Sequence, residues 1–119
     1  MSSMWLEENK NDDLFMAALE ELKNPPEGRL RRMANIDTLA ALCFEGPLDD
    51  GDVPSKQDRD YLVANRYAAR ISVKGEQGFN AATYRGNQLL CAYYDVDNLA
   101  EARAERVART ALRMASKRG

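Results

Sequence analysis

At 119 residues, with 45% apolar and 30% charged residues, the chain is long enough to bury one core of helices and a small sheet without disulfides or metal, and its composition is far from that of disordered segments. A net charge of −2 excludes a uniformly basic nucleic-acid coat, yet the charge is uneven: residues 1–27 hold seven acids and two bases, residues 28–96 nine of each, and residues 97–119 three acids and six bases. No apolar run reaches the ~18 residues that span a bilayer, and Met1 to Lys10 has neither the basic start nor the apolar stretch of a secretory signal, so a cytoplasmic protein with no membrane partner is expected.

The first predicted helix covers 12–23. Asn11, Asp12 and Asp13 supply a cap and negative charge at its positive end, and Leu14, Phe15, Ala18, Leu19 and Leu22 recur on one face. Asn24-Pro25-Pro26 stops it, because a proline forces its predecessor out of the helical region and cannot donate to the ladder. Residues 28–33 form a short basic connector. A second helix is predicted from Ile36 to Glu45, capped by Asn35, burying Ile36, Leu39, Ala40 and Cys43 and ended by Gly46-Pro47. Leu48 to Pro54 reads as an acidic loop. Ser55 then caps a helix from Lys56 to about Asn65, with Asp58 as an imperfect capping-box partner.

Ala68 to Lys74 alternates as a strand with Ile71 and Val73 on one face, Gly75 to Gly78 turns, and Phe79 to Tyr84 returns with Phe79, Ala81 and Thr83 in phase. Residues 88–94 fit either a third strand or a helix, and the spacing of Leu89, Leu90, Tyr93 and Tyr94 favours the helix. The last helix, 97–118, starts at an Asn98–Glu101 capping box. Its Ala100, Ala104, Val107, Ala111 and Met114 repeat at steps of four and three; the expected role of this seam is packing on the core, with a homodimer contact as the alternative. Arg103, Arg106, Arg109, Arg113, Lys117 and Arg118 lie on the outer face in this reading. The expected fold is a single α+β domain, mostly helical, with one β-hairpin and a long C-terminal helix.

The chain has no histidine, which removes the commonest general base, the commonest zinc ligand and every Ser-His or Cys-His nucleophile pair. Cys43 and Cys91 stand 48 positions apart inside apolar runs and read as small core residues. Gly75-x-x-Gly78 lacks the spacing and the following lysine of a phosphate loop. No catalytic residue, metal or cofactor is expected.

Two binding surfaces remain. Between Ser55 and Arg85 the bases Lys56, Arg59, Arg66, Arg70, Lys74 and Arg85 outnumber Asp58, Asp60 and Glu76 by three, so Ser55, Lys56, Gln57, Arg59, Arg66, Arg70, Lys74, Gln77 and Arg85 are candidate contacts to double-stranded DNA. Asp49, Asp50 and Asp52 of the acidic loop, with Arg106 and Arg113 of the basic tail, are candidate contacts to a host protein.

Residues 36–94 resemble a winged helix-turn-helix. Ile36 to Gly46 matches its first helix, Leu62 with Tyr67 and Ala68 the end of a recognition helix entering the wing, Lys74 to Phe79 the wing tip, and Thr83-x-x-Gly86-x-x-Leu89 the phrase leading into the next helix of many bacterial regulators. The phrasing is also similar to small uncharacterised proteins of transposable phages and prophages. The resemblance implies a DNA-binding transcriptional regulator in which the 56–66 helix approaches the major groove; the alternative is a non-enzymatic protein-interaction module on the same scaffold, such as a phage inhibitor of a host machine. Two departures stand out. Leu48 to Lys56 is too short for a full second helix, and Arg66 occupies the usual place of a turn glycine, with Asn65 able to take the left-handed conformation instead.

Overall fold

A computed structural model describes residues 3–25, 36–72, 74 and 77–118. The connector 28–33, the Asn35 cap, Val73 and the Gly75-Glu76 part of the turn lie outside the described residues. The elements are α1 (Met4–Glu8), α2 (Asp13–Lys23), α3 (Asp37–Glu45), β1 (Leu48–Asp49), a 3-10 turn (Asp50–Asp52), α4 (Lys56–Ala64), β2 (Ala68–Ile71), β3 (Phe79–Ala82), α5 (Tyr84–Tyr94) and α6 (Leu99–Arg118). The fold is therefore α+β and mostly helical, with a small antiparallel sheet in the order β1-β3-β2.

Local capping sets most of the helix starts. Asp12 accepts from the Phe15 N–H at 3.1 Å, Ser55 from Asp58 at 3.1 Å, Thr83 from Gly86 at 3.1 Å and Asn98 from Glu101 at 2.9 Å, each satisfying a donor the helix itself leaves open. The Asp58 carboxylate is buried and accepts from the Thr38 hydroxyl at 3.4 Å. Residues 88–94 belong to α5, which begins earlier than expected, at Tyr84.

One hydrophobic cluster joins Phe15, Ala18, Leu19 and Leu22 of α2 to Leu39, Ala40 and Leu42 of α3, Leu62 of α4, and Leu89, Leu90, Cys91, Ala92 and Tyr94 of α5. Leu14, expected on the buried face of α2, is 73% exposed. Gly46 does end α3, but its φ of −65° is ordinary; it is glycine because a Cβ there would come within 2.5 Å of the Leu42 carbonyl and 3.3 Å of Ala81 Cα.

Three expectations fail. The supposed loop 48–54 contains β1, whose Leu48 and Asp49 pair with Asn80 and Phe79, followed by the 3-10 turn. The hairpin has the opposite phase to the apolar alternation: Ile71 and Phe79 face each other on the exposed side, while Asn80 is fully buried. A short N-terminal helix exists where none was expected. Its cap, Ser3, is buried, receiving its anchorage from the far end of the chain through Asp95 Oδ1 at 2.6 Å and the Val96 carbonyl at 2.5 Å.

The α6 seam is also corrected. Among the described residues of α6 Ala102 is the buried one, and Leu99 and Arg106 flank it; on a 3.6-residue helix Ala100, Ala104, Val107, Ala111 and Met114 then fall on the opposite side, and all five are exposed. Ala104→Leu is consequently expected to change unfolding free energy by no more than about 0.5 kcal/mol, as measured by urea denaturation. A loss several times larger would place the seam in the core after all. Among the described residues no helix is long and apolar enough to cross a membrane.

Candidate binding surfaces

The bases between Ser55 and Arg85 do not form one patch. Asp50, at the start of the 3-10 turn, collects three of the elements around it: Oδ1 accepts from Arg59 Nη1 at 3.0 Å, Arg70 Nε at 2.9 Å and Asn80 Nδ2 at 2.8 Å, while Oδ2 accepts from Arg70 Nη2 at 2.5 Å and the Gly78 N–H at 3.0 Å. The Arg70 guanidinium, followed by Asn80, holds the Asp50 carboxyl well below the usual carboxylate range, and Asp50 in turn raises Arg70. Arg59, only 9% exposed, also meets Asp60 at 2.9 Å.

Arg59 and the more exposed Arg70, read as DNA contacts, are both engaged as counter-ions of Asp50, and Asp50, read as a partner contact, is the hub of their cluster. Arg85 is likewise engaged within the chain: its guanidinium pairs with Asp12 at 2.8 Å and stacks over Tyr67 at 5.1 Å and Phe15 at 5.5 Å. Burial pulls Arg85 down, but Asp12 and Tyr67 outweigh it and leave it raised; Asp12 is lowered by the Phe15 N–H and then by Arg85. Arg106 donates to Asp37 at 2.8 Å and to the Tyr94 hydroxyl at 3.0 Å. Ser55 is occupied as a cap. Lys56, Gln57, Lys74 and Gln77 are exposed, as are Asp52 and Arg113, whereas Asp49 is half-buried in β1. Arg66 is exposed and itself holds φ +67°; Asn65, at φ −101°, does not take the left-handed role.

An apolar opening beside α6 was not anticipated. It is a groove of about 550 Å³ between α3 and α6, walled by Ala40, Ala41 and Phe44 on one side and Val107, Ala111 and Met114 on the other. Val107 is 65% and Met114 53% exposed. Arg103 closes one rim, its guanidinium 4.6 Å from the centre of the Phe44 ring and donating to the Phe44 carbonyl at 3.3 Å. The signal in the sequence was the four-and-three repeat, which marks an apolar stripe without saying whether the core or a partner covers it.

No known family model matches the chain, and neither a curated protein nor a solved structure is similar to it. The residues themselves therefore carry the functional argument. Both cysteines are free, and burial pushes the Cys43 thiol up to about 12 and the Cys91 thiol up to about 11, with Cys91 adding to the first effect and Asp97 to the second. Neither is a thiolate nucleophile at neutral pH. Among the described residues no group of three or more cysteines and acids is placed to hold a metal ion.

Proposed function

We propose that the protein is a cytoplasmic, non-enzymatic interaction module on a winged-helix-like scaffold, and that the α3–α6 groove receives an apolar helix or loop of a protein partner. The observation that carries this is the exposure of Val107, Ala111 and Met114 beside Phe44, since exposed apolar residues gathered in one groove mark association surfaces in a way that scattered ones do not. The order α3, β1, α4, β2, β3 and α5 supports the winged-helix part of the reading. Two unpaired thiols support a reducing compartment.

The test places a photo-crosslinking amino acid at Val107 in cells, followed by titration of the purified adduct partner. Met114→Glu is expected to weaken that complex about tenfold or more, because it buries a charge in the contact, while leaving the thermal midpoint of the free protein unchanged. Absence of a discrete adduct would remove the reading.

A second reading, duplex binding by α4, is favoured by Lys56 and Gln57, which are exposed on its first turn. In that case Lys56→Glu should weaken retention of duplex in a mobility-shift assay at low salt, and the difference should shrink as salt rises. The acids Asp58 and Asp60 on the same helix and the internal pairing of Arg59 and Arg70 make this the weaker of the two.

A further inference from the structure

Among the described residues, two that are not glycine hold the left-handed conformation, Arg66 at φ +67° and Asp95 at φ +57°. Both stand just past a helix, in the same hydrogen-bonded stop: the Tyr67 N–H reaches the Leu62 carbonyl at 2.8 Å and the Arg66 N–H reaches Val63 at 3.1 Å, as Val96 and Asp95 reach Cys91 and Ala92 at 2.9 and 3.1 Å. Glycine fills such a place without strain, so any other residue there opposes the backbone. Asp95 has an internal use for its side chain, which accepts from the Ser3 N–H at 2.6 Å. Arg66 has none: its guanidinium is exposed and makes no ion pair with a described residue.

Arg66 lines a cleft of about 440 Å³ beside Arg85. Arg85 is already fixed in place, with Asp12 on one amino group and the Tyr67 and Phe15 rings against its face, so little further ordering would be needed for its remaining donors to be used. Asp12 cancels one of the two positive charges, and Asp13 begins the adjoining helix. A polyanion would meet both acids; a single carboxylate would meet one net positive charge. Leu14, exposed on the wall of the cleft, and Ala64 offer apolar surface to the carbon chain of an acidic residue.

We propose that Arg66 and Arg85 form an oxyanion site that takes one carboxylate side chain of an acidic protein segment carrying a neighbouring apolar residue. The site shares no lining residue with the α3–α6 groove and stands or falls separately from it.

The full chain, labelled with nitrogen-15, is titrated with a short acetylated and amidated peptide carrying one glutamate beside leucine, with its glutamine counterpart, with inorganic phosphate and with a short DNA duplex. The glutamate peptide is expected to shift the Leu14, Arg66 and Arg85 resonances, and the glutamine peptide to bind about tenfold more weakly through loss of charge-assisted hydrogen bonds. Arg66→Gly should weaken the glutamate peptide about tenfold while raising the thermal midpoint, a pair of effects that a structural role for Arg66 cannot produce. Arg66→Lys, which keeps the charge but loses the fork, should fall between them. Unshifted resonances, equal binding by Arg66→Gly, or tighter binding of phosphate or duplex than of the glutamate peptide at the same resonances would each overturn the proposal.

Discussion

Gly86→Ala is expected to destabilise the protein by about 3 kcal/mol or more, read as a shift in the urea midpoint, because overpacking against fixed backbone is among the few single changes with effects of that size. A Cβ at position 86 would lie 2.0 Å from the Tyr67 carbonyl oxygen and 3.0 Å from its carbonyl carbon. Tyr67 cannot retreat: it is buried at 1% exposure, its N–H is bonded to Leu62 at 2.8 Å, and its carbonyl receives the Thr83 N–H at 3.0 Å. Moving α5 instead would pull Leu89, Leu90 and Ala92 out of the core. The sign is diagnostic. In an unobstructed helix the same substitution would stabilise by up to about 1 kcal/mol through propensity alone, so a variant as stable as the parent would show that α5 does not approach the β2 entry this closely.

The phrase that contains Gly86 illustrates what could be read before any coordinates. Thr83 is a local signal, a cap whose donor, the Gly86 N–H, lies within one turn, and Asp12, Ser55 and Asn98 are of the same kind; each fixes a helix start through neighbours three positions away. The place of Arg66 after the helix came from the winged-helix resemblance, but the left-handed turn falls on Arg66 itself and not on Asn65. What was not legible depends on partners distant in the chain. Helix α1 has five residues and is held by Asp95, Val96 and Asp97, more than ninety positions away. The hairpin phase follows from Asn80 serving Asp50, which no alternation of apolar residues can announce. Counting bases from Ser55 to Arg85 found the right residue types but could not see that Asp50 and Asp12 neutralise Arg59, Arg70 and Arg85. The α6 stripe is real, and only the packing of Ala102 reveals that it faces away from the core.

Asp50→Asn is expected to lower the thermal midpoint by roughly 10 °C, since it preserves shape but takes the shared anion from the more exposed Arg70 and from buried Arg59, which keeps only the exposed Asp60, and leaving a buried charge poorly paired is strongly unfavourable. The substitution also replaces an acceptor by an amide that must turn a donor toward Arg59, Arg70, Asn80 or the Gly78 N–H, all of which donate in the native cluster. Strand β1, α4, β2 and β3 would lose their common tie at once. Asp60→Asn is the control: Asp60 is the other partner of Arg59, but its side chain is 73% exposed, so a change within about 0.5 kcal/mol is expected. The pH dependence has a definite direction. Because the Asp50 carboxyl is held below its ordinary value in the folded protein, its contribution is complete above the normal carboxylate range of about 4 and is lost as pH falls through the depressed folded value. The gap between parent and Asp50→Asn should therefore be constant from neutral pH down to about 5 and should close in stronger acid. A gap that widens in acid, or no gap at neutral pH, would mean that Arg59 and Arg70 find other anions and that the cluster does not hold the sheet to α4.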